Sequence, residues 1–165
     1  MGLNSISKIR LNFINELKAL KSLHIILGGR ENLNEIEENE IETLEIIRVR
    51  AFNSFGNIAN FKNLKKLTIE DQIQLTELRF DTTLPSLNNL ALINCKTLKS
   101  LIGLENLTGL NQLRISRTNI IFEEFIKQIL PKSLNIFAFY TMKNKINKEI
   151  KERLLKLGYR EFEWT

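Results

Sequence analysis

The sequence predicts an α/β fold: a solenoid with a curved parallel β-sheet on its concave side and loops and short helices on its convex side. Two observations lead to this prediction. An apolar pattern recurs along most of the chain at a nearly constant interval, and two later segments carry apolar residues at helical spacing instead. A regular interval of this kind is typical of stacked structural units, each of which buries its apolar edge only against its neighbours.

The recurring pattern has apolar residues at positions −6, −3, 0 and +2 of each unit. Position 0 falls at residues 23, 44, 67, 90, 113 and 136. Four copies are nearly complete: Leu17, Leu20, Leu23 and Ile25; Phe61, Leu64, Leu67 and Ile69; Leu84, Leu87, Leu90 and Leu92; and Leu107, Leu110, Leu113 and Ile115. The copies centred on Leu44 and Ile136 are weaker. In most copies, positions 0 and +2 alternate with polar residues, which predicts a short strand with one buried face.

Composition limits the class of protein. The chain has 165 residues, of which 43% are hydrophobic and 26% charged, and its net charge is +5. These values are near the globular average and exclude a disordered tail, a collagen and a membrane bundle. A single Cys and a single His exclude an internal disulfide, a Cys-based zinc site and most His-based metal sites. We therefore expect no metal and no cofactor.

The two most specific copies end in a small polar or sulfur-containing residue. The segments 87–95 and 110–118 read LxxLxL followed by Cys95 and Thr118, respectively, at position +5. Over about residues 17–140 the chain resembles the leucine-rich repeat family, whose consensus places Asn, Cys or Thr at that ladder position. Val49 and Gln72 occupy it in earlier copies and depart from the consensus. The resemblance implies a concave sheet that binds a partner.

The apolar core is open at the two ends of the repeat array, so capping segments are required there. We expect a single domain divided into an N-terminal cap at 1–16, about six repeats at 17–140, and a C-terminal helix and last strand at 141–165. The cap fits either a strand or a short helix. The period predicts the last strand over Tyr159–Trp164 but does not fix its face. An inward Tyr159 would also bring Glu161 inward, which favours Phe162 and Trp164 facing the core.

Helical spacing indicates two convex-side helices near the C-terminus. Apolar residues recur at helical intervals in Ile120–Leu130 and in Lys145–Leu157. Pro131 is expected to end the first helix and Gly158 the second.

Catalytic motifs are missing from the sequence. It contains no nucleotide-binding, zinc-protease or hydrolase motif, so we expect no enzyme. Cys95 and His24 could be imagined as a nucleophile and its base, but their units lie three steps apart, about 14 Å at ~4.8 Å per strand. Cys95 is expected to be a buried ladder residue and His24 a surface residue.

The outward columns of the sheet are the predicted contact surface. If positions 0 and +2 face inward, then −1, +1 and +3 face outward, and the +3 column is apolar at four of six places. Phe137 and Phe139, flanked by Arg114, have the character of a binding hot spot. The predicted partner-binding residues are His24, Ile26, Glu45, Ile47, Thr68, Glu70, Ala91, Ile93, Arg114, Ser116, Phe137 and Phe139. Two alternatives remain: the loops cover these side chains, or a bulge near Pro131 turns both Phe residues inward.

Protein binding is therefore the expected function. The richness in Asn, Ile and Lys fits a bacterium with an AT-rich genome, and the expected forms of this function are an adaptor and an inhibitor, such as an immunity protein that neutralises a toxin. A purely structural repeat unit is one alternative. Nucleic-acid binding is the other, suggested by five basic residues of the C-terminal helix: Lys145, Lys148, Lys151, Arg153 and Lys156. Interleaved Glu149 and Glu152 disfavour it.

The expected location is the cytoplasm. Residues 1–13 lack the charged start and long apolar run of a secretory signal. The longest apolar stretches are far below membrane-spanning length, so we expect no membrane partner.

Overall fold

The fold is built around a parallel β-sheet. The computed structural model describes residues 1–4 and 9–161. In chain order the strands are β1 (Gly2–Asn4), β2 (Ser22–Ile26), β3 (Thr43–Ile47), β4 (Lys66–Glu70), β5 (Glu77–Arg79), β6 (Asn89–Ile93), β7 (Ser100–Ile102), β8 (Gln112–Ser116) and β9 (Ile136–Tyr140). Seven of them form one parallel sheet in the order β1, β2, β3, β4, β6, β8 and β9. Strands β5 and β7 form a separate parallel pair. The molecule is thus an α/β protein with one dominant sheet.

Helical structure is short except near the C-terminus. The helices are α1 (Phe122–Phe125) and α2 (Asn144–Lys156), and 3₁₀ helices cover Asn12–Glu16, Ile58–Asn60 and Leu104–Asn106. Residues 1–16 therefore contain both a strand and a short helix in their described part. Within the described residues, no helix combines the length and the apolar character needed to cross a lipid bilayer.

The pairing of β2 through β8 confirms the predicted strand positions. Leucines at position 0 lie opposite one another, from Leu23 through Leu44, Leu67 and Leu90 to Leu113. All five are fully buried. Neighbouring strands of this part of the sheet therefore pair at the same interval at which the apolar pattern recurs in the sequence. Because the leucines stack in register, each strand extends the core of the strand before it.

The last strand is shifted by one residue from the register that the period predicts. Phe137, not Ile136, lies opposite Leu113. Phe137 and Phe139 are buried, with exposed fractions of 2% and 4%. The prediction that Ile136 and Ala138 face inward, with both Phe residues outward, is wrong. The alternative that turned the two rings inward is the one observed.

Aromatic packing explains the register of β9. The ring of Phe139 packs 5.1 Å from that of Phe122 in α1, and the ring of Phe137 packs 5.5 Å from that of Tyr159. Every residue of Ile136–Tyr140 is apolar or aromatic, so alternation favours neither face. Burying two rings removes more apolar surface from water than burying Ile and Ala would.

The residue at position +5 after β4 departs from the consensus but still hydrogen-bonds to backbone carbonyl groups. Gln72 is fully buried. Its amide Nε2 donates to the carbonyl oxygen of Glu70 at 2.6 Å and to that of Ile46, in the neighbouring strand, at 3.1 Å. Val49, at the same position of the preceding copy of the sequence pattern, is buried as an apolar residue. A long amide side chain can therefore satisfy the carbonyl groups that follow a strand.

Backbone segments that are about one period apart in the sequence approach each other closely at two glycines. A Cβ atom on Gly109 would lie 2.0 Å from the carbonyl oxygen of Pro85, and one on Gly103 would lie 2.1 Å from that of Phe80. Gly103 also has a φ of +80°, which a side chain rarely tolerates. Only glycine fits at these two close approaches between backbone segments.

The residues that follow five strands of the main sheet have left-handed backbone conformations. They are Leu27, Arg48, Asp71, Asn94 and Arg117, with φ between 52° and 62°. The carboxylate of Asp71 joins two of its neighbours: it accepts hydrogen bonds from Arg48, with Nη2 at 2.8 Å, and from the Asn94 amide. These bonds hold the pKa of Asp71 below its usual range.

The two predicted helices have different outcomes. The α-helix predicted over Ile120–Leu130 is reduced to the four residues of α1, and Ile129, predicted on its apolar face, is 75% exposed. Helix α2 is confirmed, and Gly158 follows it with a φ of +93°. After it, Arg160 forms an isolated parallel bridge with Ile136. Phe162 and Trp164 lie outside the described residues.

Candidate functional site

The main sheet has one face directed away from the core, which we call the groove face. Along β2, β3 and β6 its residues alternate with fully buried ones. The groove face consists of Ser22, His24, Ile26, Thr43, Glu45, Ile47, Lys66, Thr68, Glu70, Asn89, Ala91, Ile93, Gln112, Arg114, Ser116, Ile136, Ala138 and Tyr140. It therefore presents a mixture of polar, charged and apolar side chains.

A groove of about 980 Å³ runs along this face. Its lining consists of Glu45, Lys66, Thr68, Asn89, Ala91, Ile93, Gln112, Arg114, Ile136, Leu155, Tyr159, Arg160 and Glu161. Five of the twelve predicted contact residues are among them: Glu45, Thr68, Ala91, Ile93 and Arg114. The groove crosses five strands, so it joins side chains far apart in sequence.

The other predicted contact residues divide into two groups. His24, Ile26, Ile47, Glu70 and Ser116 lie on the groove face but outside the groove lining. Ser116 is also buried, with an exposed fraction of 7%. Phe137 and Phe139 lie in the core, where the register of β9 places them, so the predicted aromatic hot spot does not exist.

A polar cluster occupies one end of the groove face. Nδ1 of His24 lies 2.7 Å from Oε2 of Glu45, and Nζ of Lys66 lies 3.5 Å from Oε1 of the same carboxylate. The three side chains belong to adjacent strands β2, β3 and β4. Glu45 thus lies between the imidazole of His24 and the ammonium group of Lys66.

Arg114 occupies the middle of the groove between two small residues. It lies opposite Ala91 on one side and Ala138 on the other. Burial lowers the pKa of its guanidinium group, while Tyr140 and Glu70 act in the opposite direction. Its two neighbours across the sheet therefore carry only methyl side chains.

The C-terminal wall of the groove was missed by the sequence analysis. Leu155 belongs to α2, and Tyr159, Arg160 and Glu161 follow that helix. The backbone N–H of Arg160 donates to the carbonyl oxygen of Asn135 at 2.7 Å, which fixes this segment against β9. The repeat period indicated a strand here, but nothing in the pattern showed that its side chains would reach the groove.

Cys95 and His24 do not form a catalytic pair. His24 is on the groove face, whereas Cys95 is fully buried after β6 with its Sγ 3.4 Å from the carbonyl oxygen of Ile93 and 3.6 Å from that of Ile69. Burial raises the pKa of the Cys95 thiol to about 11. Within the described residues there is no cluster of three or more His, Cys, Asp or Glu side chains that could hold a metal ion.

Ion pairs connect α2 to the rest of the fold. Arg153 donates to both carboxylate oxygens of Glu123 at 2.6 Å and lies over the ring of Phe122, 5.3 Å from its centroid. Nζ of Lys151 lies 2.6 Å from Oε1 of Glu161. Two of the five basic residues suggested for nucleic-acid binding are thus paired with carboxylates outside their own helix.

Comparison of the chain with protein-family models, curated proteins and solved structures gives no match.

Proposed function

We propose that the chain is a leucine-rich-repeat solenoid that binds another protein through the groove face. The observation that carries this proposal is the groove itself, which is about 980 Å³ in volume and is lined by five parallel strands and the segment after α2. Large concave surfaces that combine apolar patches with ordered polar groups are typical of recognition sites. An immunity protein that neutralises a bacterial toxin is one form of this function.

The surface chemistry supports a protein partner. Ile93 and Ile136 are half-buried apolar residues in the lining, and Asn89 and Gln112 supply amide groups beside them. Nδ2 of Asn89 donates to Oε1 of Gln112 at 2.7 Å, so the two amides hold each other in place. Apolar contacts next to fixed polar groups provide both affinity and specificity in protein interfaces.

This proposal is tested by comparing how much partner protein is captured by the parent and by a variant whose groove is filled. Ala91→Trp would fill the middle of the groove without changing the charge, and Thr82→Trp places the same ring at an exposed position outside the groove. The melting temperatures of the parent and both variants are first shown to agree. The three proteins are then immobilised and exposed to lysate of the native cell, and the captured proteins are quantified by mass spectrometry.

The expected result is a protein captured by the parent and by Thr82→Trp, with capture by Ala91→Trp at least tenfold weaker. Equal capture by all three would contradict binding through the groove face. Capture of no protein by the parent would contradict the proposed function.

A further inference from the structure

The two edges of the groove face, where the strands begin and where they end, differ in charge. We call the three residues that precede each of β2, β3, β4, β6, β8 and β9 the amino rim, and the three residues that follow each of them the carboxyl rim. The amino rim contains two basic and two acidic residues, a net charge of zero. The carboxyl rim contains five basic residues and one acidic residue, a net charge of +4. Positive charge is therefore concentrated along one edge of the groove face.

The charges of the amino rim are paired with one another. Nζ of Lys65 lies 2.7 Å from Oε2 of Glu42. Nζ of Lys21 lies 3.5 Å from Oε1 of the same carboxylate and 3.3 Å from Oε2 of Glu40. Because opposite charges alternate here at short distances, their fields largely cancel at the distance of an approaching partner.

The basic residues of the carboxyl rim are compensated only in part. Its one carboxylate belongs to Asp71. Hydrogen bonds from Arg48 and Asn94 lower the pKa of this carboxyl, and the charge of Lys96 lowers it further. Among the residues that the structure describes, the remaining three basic side chains of this rim make no hydrogen bond or ion pair, and all three are exposed: Arg50, Arg117 and Lys143.

Backbone pairing makes the carboxyl rim a continuous edge. The first residue after each of β2, β3, β4, β6 and β8 donates its backbone N–H to the last residue of the next strand in the sheet, at 2.7–3.0 Å. The rim therefore keeps the spacing of the strands. Arg50 follows β3 and Arg117 follows β8, three strand positions away, about 14 Å at ~4.8 Å per strand. The available positive charges are thus distributed along an edge and do not form a single anion site.

Exposed apolar side chains accompany these charges. Leu27, Ile73 and Met142 belong to the carboxyl rim and have exposed fractions between 40% and 68%. Ile26, the groove-face residue beside Leu27, is also exposed. In contrast, the large apolar residues of the amino rim are all buried or half-buried. Exposed apolar residues beside unpaired charges are typical of a protein interface.

We infer that the protein partner covers the groove from the side of the carboxyl rim, with acidic residues over Arg50 and Arg117 and apolar residues on Leu27 and Ile73. This inference rests on the proposed function and specifies the chemistry of the partner. A guanidinium group matches a carboxylate with two parallel hydrogen bonds, so the two arginines favour aspartate or glutamate on the partner surface.

Nucleic acid is the other polyanionic occupant, and the carboxyl rim favours it less. Sites for single strands stack bases on aromatic rings, and the carboxyl rim contains no aromatic residue. Contacts to phosphate come from basic and polar groups. Phosphate contacts would therefore leave the exposed Leu27, Ile73 and Met142 without a partner.

Titration of the isotope-labelled protein tests this inference, because the shifts of backbone amide resonances report both the affinity of a probe and the place where it binds. Three probes are peptides of equal length with the same serine and leucine framework, carrying aspartate, asparagine or lysine at the remaining positions. The fourth is a short DNA duplex. The parent is compared with a charge-reversed variant, Arg50→Glu with Arg117→Glu. The matched control is Lys127→Glu with Lys132→Glu, which changes the net charge equally at exposed positions outside both rims.

The parent is expected to bind the aspartate peptide about fivefold more tightly than the asparagine peptide, with the largest shifts at amides of the carboxyl rim. The charge-reversed variant should lose this preference, and the control should retain most of it. The inference is overturned if the asparagine or lysine peptide binds as tightly, if the duplex binds most tightly, or if no probe binds. Equal effects of the two charge reversals, or shifts confined to the amino rim, would also overturn it.

Failure of this inference can be separated from failure of the proposed function by including the charge-reversed variant in the capture experiment. If Ala91→Trp abolishes capture and the charge-reversed variant captures the same protein as the parent, the partner binds in the groove without acidic residues over the carboxyl rim. The proposed function then stands and the inference fails. If no probe binds in the titration, the inference fails, and the capture experiment decides the proposed function independently.

Discussion

The middle of the sheet and its last strand reach the same architecture in different ways. From β4 to β8, each strand pairs with the next at the interval of the sequence pattern, and the inward residues are Leu and Ile. Between β8 and β9 the pairing is shifted by one residue, and the inward residues are Phe137 and Phe139. Because side chains alternate between the two faces of a strand, one additional residue exchanges the core face for the outer face. Packing of the Phe137 and Phe139 rings at the end of the core, not the repeat period, therefore determines which face of β9 is buried.

The largest expected effect comes from the core side of β9. Phe139→Ser removes a buried ring that packs against Phe122 and should lower the free energy of unfolding by about 3–5 kcal/mol. The control is Tyr140→Ser, which changes the adjacent, half-buried groove-face residue and should cost clearly less. Urea denaturation of both variants measures the difference. A greater loss for Tyr140→Ser would contradict the shifted register of β9.

A glycine tests the close approach of two backbone segments in the middle of the molecule. Gly109→Ala would bring a Cβ atom to 2.0 Å from the carbonyl oxygen of Pro85, so the backbone must move. We expect a loss of about 3 kcal/mol, at the upper end of overpacking effects. Gly56→Ala is the matched control, because its Cβ would meet only Oγ of Ser54 at 3.5 Å. Similar midpoints for the two variants in thermal unfolding would contradict the close approach of Gly109 to the backbone of Pro85.

The buried thiol of Cys95 provides a pH test of packing in the middle of the molecule. Its folded pKa of about 11 exceeds the ordinary value of 9.0, because burial disfavours the thiolate. The neutral thiol therefore stabilises the fold fully below pH 9.0, and this contribution is lost as the pH rises toward 11. Across that interval the parent should lose about 2 kcal/mol more than Cys95→Ser, because the slope approaches about 1.4 kcal/mol per pH unit only between the two pKa values.

Thiol labelling provides the control for this prediction. The parent should react slowly with a thiol reagent at neutral pH, whereas Thr82→Cys should gain one rapidly reacting group at an exposed position. Rapid labelling of the folded parent would show that Cys95 is accessible. Parallel stability curves for the parent and Cys95→Ser would contradict a raised pKa.

The smallest expected effect concerns the contact between β3 and β4 at their carboxyl ends. Asp71→Asn removes the ion pair with Arg48 but keeps a residue type that tolerates a φ of 54°. Because the folded pKa of Asp71 is lowered, its contribution exists above pH 3.8 and is lost as the pH falls below that value. We expect a loss of about 1 kcal/mol at pH 7 that vanishes in acid. Asp81→Asn, at a 75% exposed carboxylate, should have almost no effect on the unfolding midpoint.

The sequence predicted the strands of the middle region because each carried its own evidence. In β2, β3, β4 and β8, apolar residues at positions 0 and +2 flank a polar residue, so period and alternation agree. In β9 every residue is apolar or aromatic, so alternation does not indicate which face is buried. Extrapolating the repeat period placed the wrong face toward the core. The strands whose faces were predicted correctly carry ten of the twelve predicted contact residues, and these ten lie on the groove face.

Other features depend on contacts between distant segments. The groove wall formed by Leu155 and Arg160 depends on where the segment after α2 pairs with β9. No local sequence pattern encodes this position. Helix α1 is shorter than predicted, although helical spacing continues to Ile129. Phe122 and Phe125 fill the space against the β9 rings within a single turn, so packing requires no longer helix.

The pairing of β8 with β9 is the most direct test of the account, because it determines which side chains form the groove. Cross-strand nuclear Overhauser contacts in an isotope-labelled sample measure this pairing, since paired residues of adjacent strands lie about 4.8 Å apart. The account predicts contacts between the backbones of Arg114 and Ala138 and between those of Leu113 and Phe137. Contacts of Arg114 with Phe137 and of Leu113 with Ile136 would contradict it and place both Phe rings on the groove face.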